Sequence, residues 1–148
     1  MTQQMTVREV TAAQTAELRR EVLRGGRLVA LPGDDEPAFH VGVYDGLLLL
    51  GTGNVREEPA PWDPGHPAWR LRGMATAPAH RGRGVGGLVL EALMAHAREA
   101  GGGLLWCNAR TPAQRFYERA GLVTVGEPWE DPGDRAARAH VAAPLAGL

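Results

Sequence analysis

The stretch that decides the fold is His80-Arg81-Gly82-Arg83-Gly84-Val85-Gly86-Gly87, which separates two segments of different periodicity. The segment before it, 69–76, runs towards Pro78, and proline favours extended geometry in the residue before it, so we predict a strand. Apolar residues after the run recur at helical spacing until Gly101, which predicts an amphipathic helix. The start of such a helix presents unpaired N–H groups and the positive end of its dipole. Because glycines let an anion approach this backbone closely, the run predicts a diphosphate site.

The same run permits other interpretations. Gly82-x-Gly84-x-x-Gly87 satisfies the dinucleotide pattern, but that fold needs an acidic residue about 20 positions later. No Asp or Glu lies between Ala100 and Tyr117. A P-loop is excluded because the chain has no lysine and no serine. The net charge of -1 and the mid-chain position disfavour a nucleic-acid-binding tail. A glycine loop that only makes a turn remains the alternative.

Two motifs carry a family resemblance. The run from Met74 to Gly86 resembles the acetyl-CoA signature of the GCN5-related N-acetyltransferase (GNAT) superfamily, whose core is Q/R-x-x-G-x-G/A. The core positions are filled here by Arg81, Gly84 and Gly86. Downstream, Asn108 followed by 113–122 resembles the family's N-x-x-A-x-x-F-Y-E-x-x-G-F block, with a leucine in place of the final phenylalanine. The two motifs occur in the family's order, and together they are more specific than either alone.

The resemblance implies a role for each matched position. Backbone groups of the strand would bond the pantetheine arm and polarise the thioester carbonyl, and main-chain N–H groups of the loop would receive the diphosphate. Tyr117 fills the position at which a family tyrosine protonates the departing CoA thiolate; its alternative is simple packing beside Phe116. The implied cofactor-binding residues are Met74, Ala75, Thr76, Arg81, Gly82, Arg83, Gly84, Val85, Gly86, Gly87, Asn108 and Phe116.

Periodicity and turn signals predict the order β-α-β-β-β-α-β-α-β-β, which is similar to the GNAT fold. The fold class is α/β (α+β), with a mixed, mostly antiparallel sheet of six to seven strands and helices on both faces. Thr11 is expected to cap the first helix, and Thr111 with Gln114 to form a capping box on the last. The strands and helices flanking the central run are predicted at 5–10, 11–24, 38–44, 47–55, 103–109, 112–120, 122–125 and 136–142.

Two proline-rich segments are predicted to be connections. Residues 57–67 form a surface loop after the hairpin at Asp45-Gly46, and 128–133 join the last two strands. The connector 32–37 and the 57–67 loop carry six carboxylates, which favour a cationic acceptor unless they are ordinary solvated charge. These carboxylates belong to Asp34, Asp35, Glu36, Glu57, Glu58 and Asp63.

Length and composition limit the remaining possibilities. A chain of 148 residues with 44% hydrophobic content is expected to form one domain, 1–148. We expect no membrane span and no signal peptide, and the single Cys107 fits a reducing, cytoplasmic compartment. The five histidines lack metal-ligand spacing, so we expect no metal. The absence of serine and lysine excludes serine hydrolases and Schiff-base enzymes.

The sequence therefore predicts an acetyl-CoA-dependent N-acetyltransferase that acetylates a primary amine of a small molecule in a ternary complex. A non-catalytic acyl-CoA-binding regulatory module and a protein N-acetyltransferase are the alternatives, and a homodimer is left open. The general base is unassigned, because family members with a base on this strand carry a glutamate where 69–72 has none. The candidates elsewhere are His40, Glu57, Glu58, His66 and His140.

Overall fold

A computed structural model describes residues 4–31, 33–34 and 36–148. Pro32 and Asp35 of the acidic connector lie outside the described residues. The chain divides into two compact units: the first unit lies within 1–56 and 71–96, and the second unit comprises 57–70 and 97–148. The prediction of one domain stays a prediction.

In the described part of the chain, seven strands and three α-helices follow one another in the predicted order. The strands are β1 (Thr6–Val10), β2 (Phe39–Asp45), β3 (Leu48–Glu57), β4 (Trp69–Thr76), β5 (Leu104–Arg110), β6 (Val123–Glu130) and β7 (Ala137–Pro144). The helices are α1 (Ala12–Arg24), α2 (Val85–Glu99) and α3 (Gln114–Arg119). Hydrogen bonds link the strands in the order β1-β2-β3-β4-β5-β7-β6. β4 pairs with β5 in parallel, whereas β1-β2, β2-β3, β5-β7 and β6-β7 are antiparallel. The predicted mixed, mostly antiparallel sheet is confirmed.

In the first unit, α1 and α2 pack on opposite faces of the strands. A Cβ added to Gly53 of β3 would lie 2.8 Å from Cγ1 of Val89 in α2. The next residue, Asn54, faces the other way, where its Nδ2 and Cδ of Arg19 in α1 lie 2.9 and 3.3 Å from a Cβ added to Gly73. The prediction of helices on both faces is therefore confirmed for this unit.

The predicted cap of α1 is also confirmed. Thr11 Oγ1 accepts a hydrogen bond from the backbone N–H of Gln14, and Gln14 Oε1 accepts one from the backbone N–H of Thr11. This reciprocal capping box satisfies two N–H groups that would otherwise lack partners. Gly25 ends the helix, as its sequence position predicts.

In the second unit, β5, β7 and β6 pack around a core that contains Trp106. Trp106, Ala60, Ala68 and Ala142 are all at most 4% exposed and form one cluster. The indole Nε1 donates a 2.8 Å hydrogen bond to the carbonyl of Glu58, and the Arg70 guanidinium lies 5.0 Å from the ring centroid. The 58–68 connection is thereby attached to the core, although its prolines predicted only a surface loop.

The predicted capping box of the last helix is wrong. Thr111 lies inside a 3₁₀ turn, Thr111–Ala113, and α3 begins at Gln114 without a side-chain cap. The Gln114 side chain instead donates a 2.7 Å hydrogen bond to Thr124 Oγ1 on β6. The Gln114 side chain thus bonds a residue of β6 and not the backbone of Thr111.

The connection between the last two strands, predicted at 128–133, begins later in the structure. β6 continues through Pro128 to Glu130, and the turn begins at Asp131. The register with β7 shifts between Val125 and Trp129, which marks a bulge. An edge strand tolerates proline at a bulge, because no ladder hydrogen bond is needed from that position.

Candidate active site

The glycine run forms an open loop before α2, as predicted. After β4 the chain makes a 3₁₀ turn, Pro78–His80, and then passes through Gly82 (φ 78°) and Gly84 (φ 81°) into the helix. Both glycines are exposed, and a Cβ added to either would meet no atom within 4 Å. Left-handed backbone is accessible to glycine at little cost, so the loop can present its backbone to solvent.

Among the residues that the structure describes, none accepts a hydrogen bond from the N–H groups of this loop or of the first helical turn. The first backbone hydrogen bond into α2 is donated by Leu88 to the Gly84 carbonyl, at 3.1 Å. In the part of the chain that the structure describes, no acceptor faces the amides of 81–87. Unpaired N–H groups at a helix N-terminus, with the helix dipole behind them, constitute an anion site that fits a diphosphate.

The two arginines of the loop differ in their surroundings. Arg83 is half-buried and donates a 2.5 Å hydrogen bond to Nδ1 of His80. Arg81 is exposed. Both can add charge near the amides, and Arg83 keeps donors other than the one that bonds His80.

The predicted strand residues lie at the end of β4, immediately before the loop. Met74 directs its side chain towards α2, since its Sδ lies 2.5 Å from a Cβ added to Gly53. Ala75 is buried, and Thr76 is half-buried at the last strand position. The ladder between β4 and β5 comprises the pairs Trp69–Leu105 and Arg70–Trp106.

The predicted acid, Tyr117, lies in α3 of the second unit and is 6% exposed. Its ring packs edge-on against Phe116 with centroids 5.1 Å apart, and its hydroxyl is hydrogen-bonded to the Cys107 thiol. Burial raises the pKa of Tyr117 above its ordinary value of 10.0 and raises the pKa of Cys107 to about 12. Both groups therefore keep their protons at neutral pH, and the phenol is a neutral hydrogen-bond donor.

The side chain of Asn108 is hydrogen-bonded to His140, a contact that the sequence did not predict. Its Oδ1 accepts a 2.7 Å hydrogen bond from His140 Nδ1 on the adjacent strand. The His140 ring lies 4.3 Å from the Trp129 ring and 4.9 Å from the Trp62 ring. Burial, and then the charge of Arg70, lower the pKa of His140. These aromatic residues are far apart in sequence and show no local pattern that could have predicted the cluster.

The structure also distinguishes among the candidate bases. Glu58 is ion-paired with Arg70 at 2.8 Å, and Nδ1 of His66 lies 2.6 Å from Oδ1 of Asp63. His140 donates to Asn108 as described, and Glu57 is exposed. His40 is buried, and its Nδ1 has no hydrogen-bond partner among the described residues.

Three of the six carboxylates in the predicted acidic patch are paired with arginines of the chain itself. Asp34 pairs with Arg19 at 2.7 Å and Glu36 with Arg56 at 2.6 Å. Together with the Glu58–Arg70 pair, these contacts weaken the support for a cationic acceptor. Asp35 lies outside the described residues.

Within residues 4–31, 33–34 and 36–148, no three His, Cys, Asp or Glu side chains are grouped so that they could hold a metal ion. None of the helices in the described part of the chain is both long and apolar enough to cross a membrane.

The first unit carries an open, amide-lined helix start after β4, and the second unit carries a neutral buried tyrosine. An acyl-CoA-dependent transferase needs both an anion site and a proton donor. The sequence profile of the acetyltransferase (GNAT) family matches residues 8–122. The chain belongs to this family and is an N-acetyltransferase.

Individual relatives agree with that assignment. The chain is 30% identical over 135 residues to the uncharacterized N-acetyltransferase YitI of Bacillus subtilis (strain 168), covering 87% of this chain and 89% of the relative. An aminoglycoside 6'-N-acetyltransferase complexed with coenzyme A has a similar fold, with a TM-score of 0.74, 12% identity, and 95% and 97% coverage. So does yncA of Salmonella typhimurium with its cofactor acetyl-CoA, with a TM-score of 0.71, 15% identity, and 96% and 94% coverage.

Proposed function

We propose that the protein transfers the acetyl group of acetyl-CoA directly to a primary amine of a small molecule, within a ternary complex in the cytoplasm. The observation that carries the proposal is the row of backbone N–H groups from Arg81 to Gly87, for which the described residues supply no acceptor. These groups would bind the diphosphate of acetyl-CoA, and Arg81 and Arg83 would add charge. Val85, Gly86 and Gly87 take part through their backbone, since they form the first turn of α2.

The end of β4 is proposed to bind the pantetheine arm. Backbone groups of Met74, Ala75 and Thr76 would bond an arm that adds like a strand, as extended ligands do at open strand edges. The short ladder between β4 and β5 supports this role. An N–H donor aligned on the thioester carbonyl stabilises the developing oxyanion by about 3 kcal/mol. Asn108 and Phe116 are proposed to contact the same arm, and Asn108 would have to share its side chain with His140.

Tyr117 is proposed to protonate the departing thiolate. Its pKa is raised by burial, so the phenol is fully protonated at neutral pH. Once the amine nitrogen has attacked the thioester carbon, the carbon–sulfur bond breaks and the sulfur takes the phenolic proton. The proton lost by the amine nitrogen then restores the phenol.

A thiol-release assay tests the proposed transfer. With acetyl-CoA and a panel of small primary amines, we expect free thiol to appear in proportion to acetylated amine for at least one acceptor. Peptides with free amino termini form a second arm, because a protein N-acetyltransferase would prefer them. Calorimetry measures acetyl-CoA binding independently. Binding without thiol release on any acceptor would contradict the proposed transfer and favour the binding module, and release on peptides alone would move the acceptor class to proteins.

A matched pair of glycine variants tests the diphosphate site. Gly84→Ala places a Cβ at φ 81°, which costs about 1–2 kcal/mol and shifts the loop amides. We expect the affinity for acetyl-CoA to fall about 10-fold, since about 1.4 kcal/mol corresponds to a factor of ten. Gly126→Ala is the control, because Gly126 has a similar φ of 72° and equally open surroundings but lies on β6. Equal losses of affinity in the two variants would mean that general destabilisation, and not the loop, weakens binding.

A further inference from the structure

Three aromatic side chains of the second unit form what we call the aromatic patch. Trp62 belongs to the connection between β3 and β4, Trp129 to β6 and His140 to β7. The His140 ring lies 4.9 Å from the Trp62 ring and 4.3 Å from the Trp129 ring, measured between ring centroids. All three residues lie within the second unit, so their arrangement is fixed by the packing of that unit alone.

The two indoles of the aromatic patch are only partly covered by the protein. Trp62 is 38% exposed and Trp129 is half-buried, whereas Trp106 is 1% exposed. Trp106 fills the core of the unit, and Trp62 meets it edge-on with centroids 5.8 Å apart. Exposed apolar side chains that are grouped together mark binding sites, whereas single ones are ordinary surface. The exposed indole surface is therefore a candidate contact for a ligand.

Two polar groups beside the indoles have hydrogen-bonding capacity that the protein leaves unused. His140 Nδ1 donates to Asn108 Oδ1 at 2.7 Å, and this bond orients both side chains. In the part of the chain that the structure describes, neither Nε2 of His140 nor Nδ2 of Asn108 has a hydrogen-bond partner, and neither atom is buried. The neutral imidazole thus offers an acceptor and the amide offers donors. Apolar surface with a few oriented polar groups is typical of small-molecule sites.

The charges around the aromatic patch favour a neutral ring over a cation as the occupant. Indole faces bind both kinds of group. Burial, and then the charge of Arg70, lower the pKa of His140, so Arg70 acts on the patch as a positive neighbour although it is paired with Glu58. On the other side, Arg138 lies opposite Trp129 in the ladder and is paired with Asp131 at 3.0 Å. An ammonium group against the indoles would be repelled by Arg70, whereas a neutral planar ring would not.

The aromatic patch and Tyr117 lie on opposite faces of β5. Cys107 contacts the Tyr117 hydroxyl, and Asn108, the next residue along the strand, contacts His140. Consecutive residues of a strand point to opposite faces. A ligand on the patch would therefore approach β5 from one face, while the proposed acid acts from the other. Asn108, which is proposed to contact the pantetheine arm, belongs to the face of the patch.

We propose that the acceptor is a primary amine that carries an aromatic ring, that this ring stacks on the exposed parts of Trp62 and Trp129, and that Nε2 of His140 accepts a hydrogen bond from the amino group. The proposal rests on the acetyl transfer proposed above and narrows the class of its acceptor. Because the amine bonds His140, the Asn108 amide donors stay available to the pantetheine arm, and the two substrates do not compete for one group.

The first experiment compares three acceptors: propylamine, 2-cyclohexylethylamine and 2-phenylethylamine. We expect kcat/KM for 2-phenylethylamine to exceed that for propylamine at least about 10-fold, through a lower KM, because stacking adds to the burial of apolar area. It should exceed that for 2-cyclohexylethylamine about 3-fold, since the cyclohexyl ring is apolar but not planar. In Trp62→Leu and Trp129→Leu, the preference for the aromatic ring should fall. Phe39→Leu is the matched control and should keep the preference, because Phe39 stacks on His96 in the first unit.

Equal kcat/KM values for the phenyl and cyclohexyl amines would overturn the aromatic class while leaving acetyl transfer intact. A preference that survives both tryptophan variants would overturn the assignment to the aromatic patch.

Direct binding separates this inference from the transfer itself. Titration with 2-phenylethylamine in the presence of coenzyme A should quench tryptophan fluorescence saturably, and Trp62→Leu should bind the amine at least about 10-fold more weakly. Absence of saturable binding would overturn the aromatic site even if other amines released thiol. Saturable binding without thiol release on any amine would contradict the acetyl transfer, and with it the role of the bound amine as an acceptor.

The variant His140→Phe tests the hydrogen bond to the amino group. Phenylalanine keeps an aromatic ring in the patch but cannot accept a hydrogen bond as Nε2 does. We expect KM to rise about 3- to 10-fold for all three amines, as for a lost hydrogen bond, while the preference for 2-phenylethylamine over propylamine remains. Unchanged KM values in this variant would overturn the proposed contact between His140 and the amine.

Discussion

Replacement of Tyr117 by phenylalanine is expected to lower turnover about 1,000-fold, within the range that a positioned general acid contributes. The aromatic ring and its edge-on contact with Phe116 are kept, and only the hydroxyl is lost. Without it, the thiolate must leave unprotonated or take a proton from water. Acetyl-CoA affinity should change far less than turnover, because the proton is needed only as the carbon–sulfur bond breaks. Steady-state thiol release and calorimetric binding measure the two quantities separately.

Cys107→Ala is the matched control for this variant. It removes the hydrogen-bond partner of the Tyr117 hydroxyl but keeps the hydroxyl itself. We expect most of the turnover to remain, and the free energy of unfolding to fall by about 1 kcal/mol or somewhat more from the lost hydrogen bond and a small cavity. If the phenylalanine variant turned over as fast as the wild type, Tyr117 would be only a packing residue.

Replacement of Trp106 by alanine is expected to lower the free energy of unfolding by about 4 kcal/mol. The indole is 1% exposed, forms a core cluster with three small alanines, and donates to the Glu58 carbonyl at 2.8 Å. Its removal leaves a cavity that these alanines cannot fill, as well as a carbonyl without its donor. Chemical denaturation monitored by far-ultraviolet circular dichroism measures the loss.

The variant Trp106→Phe separates the contribution of the buried ring from that of the hydrogen bond to the Glu58 carbonyl. Phenylalanine keeps much of the buried ring but cannot donate to Glu58, so we expect a loss of about 1–2 kcal/mol. A loss below about 1 kcal/mol in the alanine variant would show that the 58–68 connection does not depend on this side chain. It would also mean that the second unit collapses easily around the missing indole.

The sequence was most informative where the relevant interactions are local. The strand, the glycine loop and the helix around Arg81 to Gly87 were predicted correctly. Proline, glycine and the spacing of apolar residues each restrict the backbone conformation of residues close to them in the sequence. The same holds for Thr11, whose capping partner is three residues away. It does not hold for Thr111, because a more favourable partner for Gln114 lies on β6.

The residues of the candidate site also fall into those that local sequence motifs predict and those that only the tertiary structure brings together. The loop and Tyr117 could be identified from the order of two motifs, since their residues are contiguous within each motif. The surroundings of Asn108 could not, because His140, Trp129 and Trp62 lie far from it in the sequence and show no common spacing. From the sequence alone, the carboxylates of the acidic connector favour a cationic acceptor or are ordinary solvated charge, whereas in the structure Asp34 and Glu36 pair with arginines.

The order of elements, the open helix start and the identity of the proposed acid were thus determined by the sequence alone, through propensities and motifs that act within a few residues. The partner of Asn108, the ion pairs of the acidic connector and the burial that keeps Tyr117 and Cys107 protonated were decided only by the tertiary structure. The physical reason is that desolvation and ion pairing depend on which distant residues are brought together, and no local pattern specifies them.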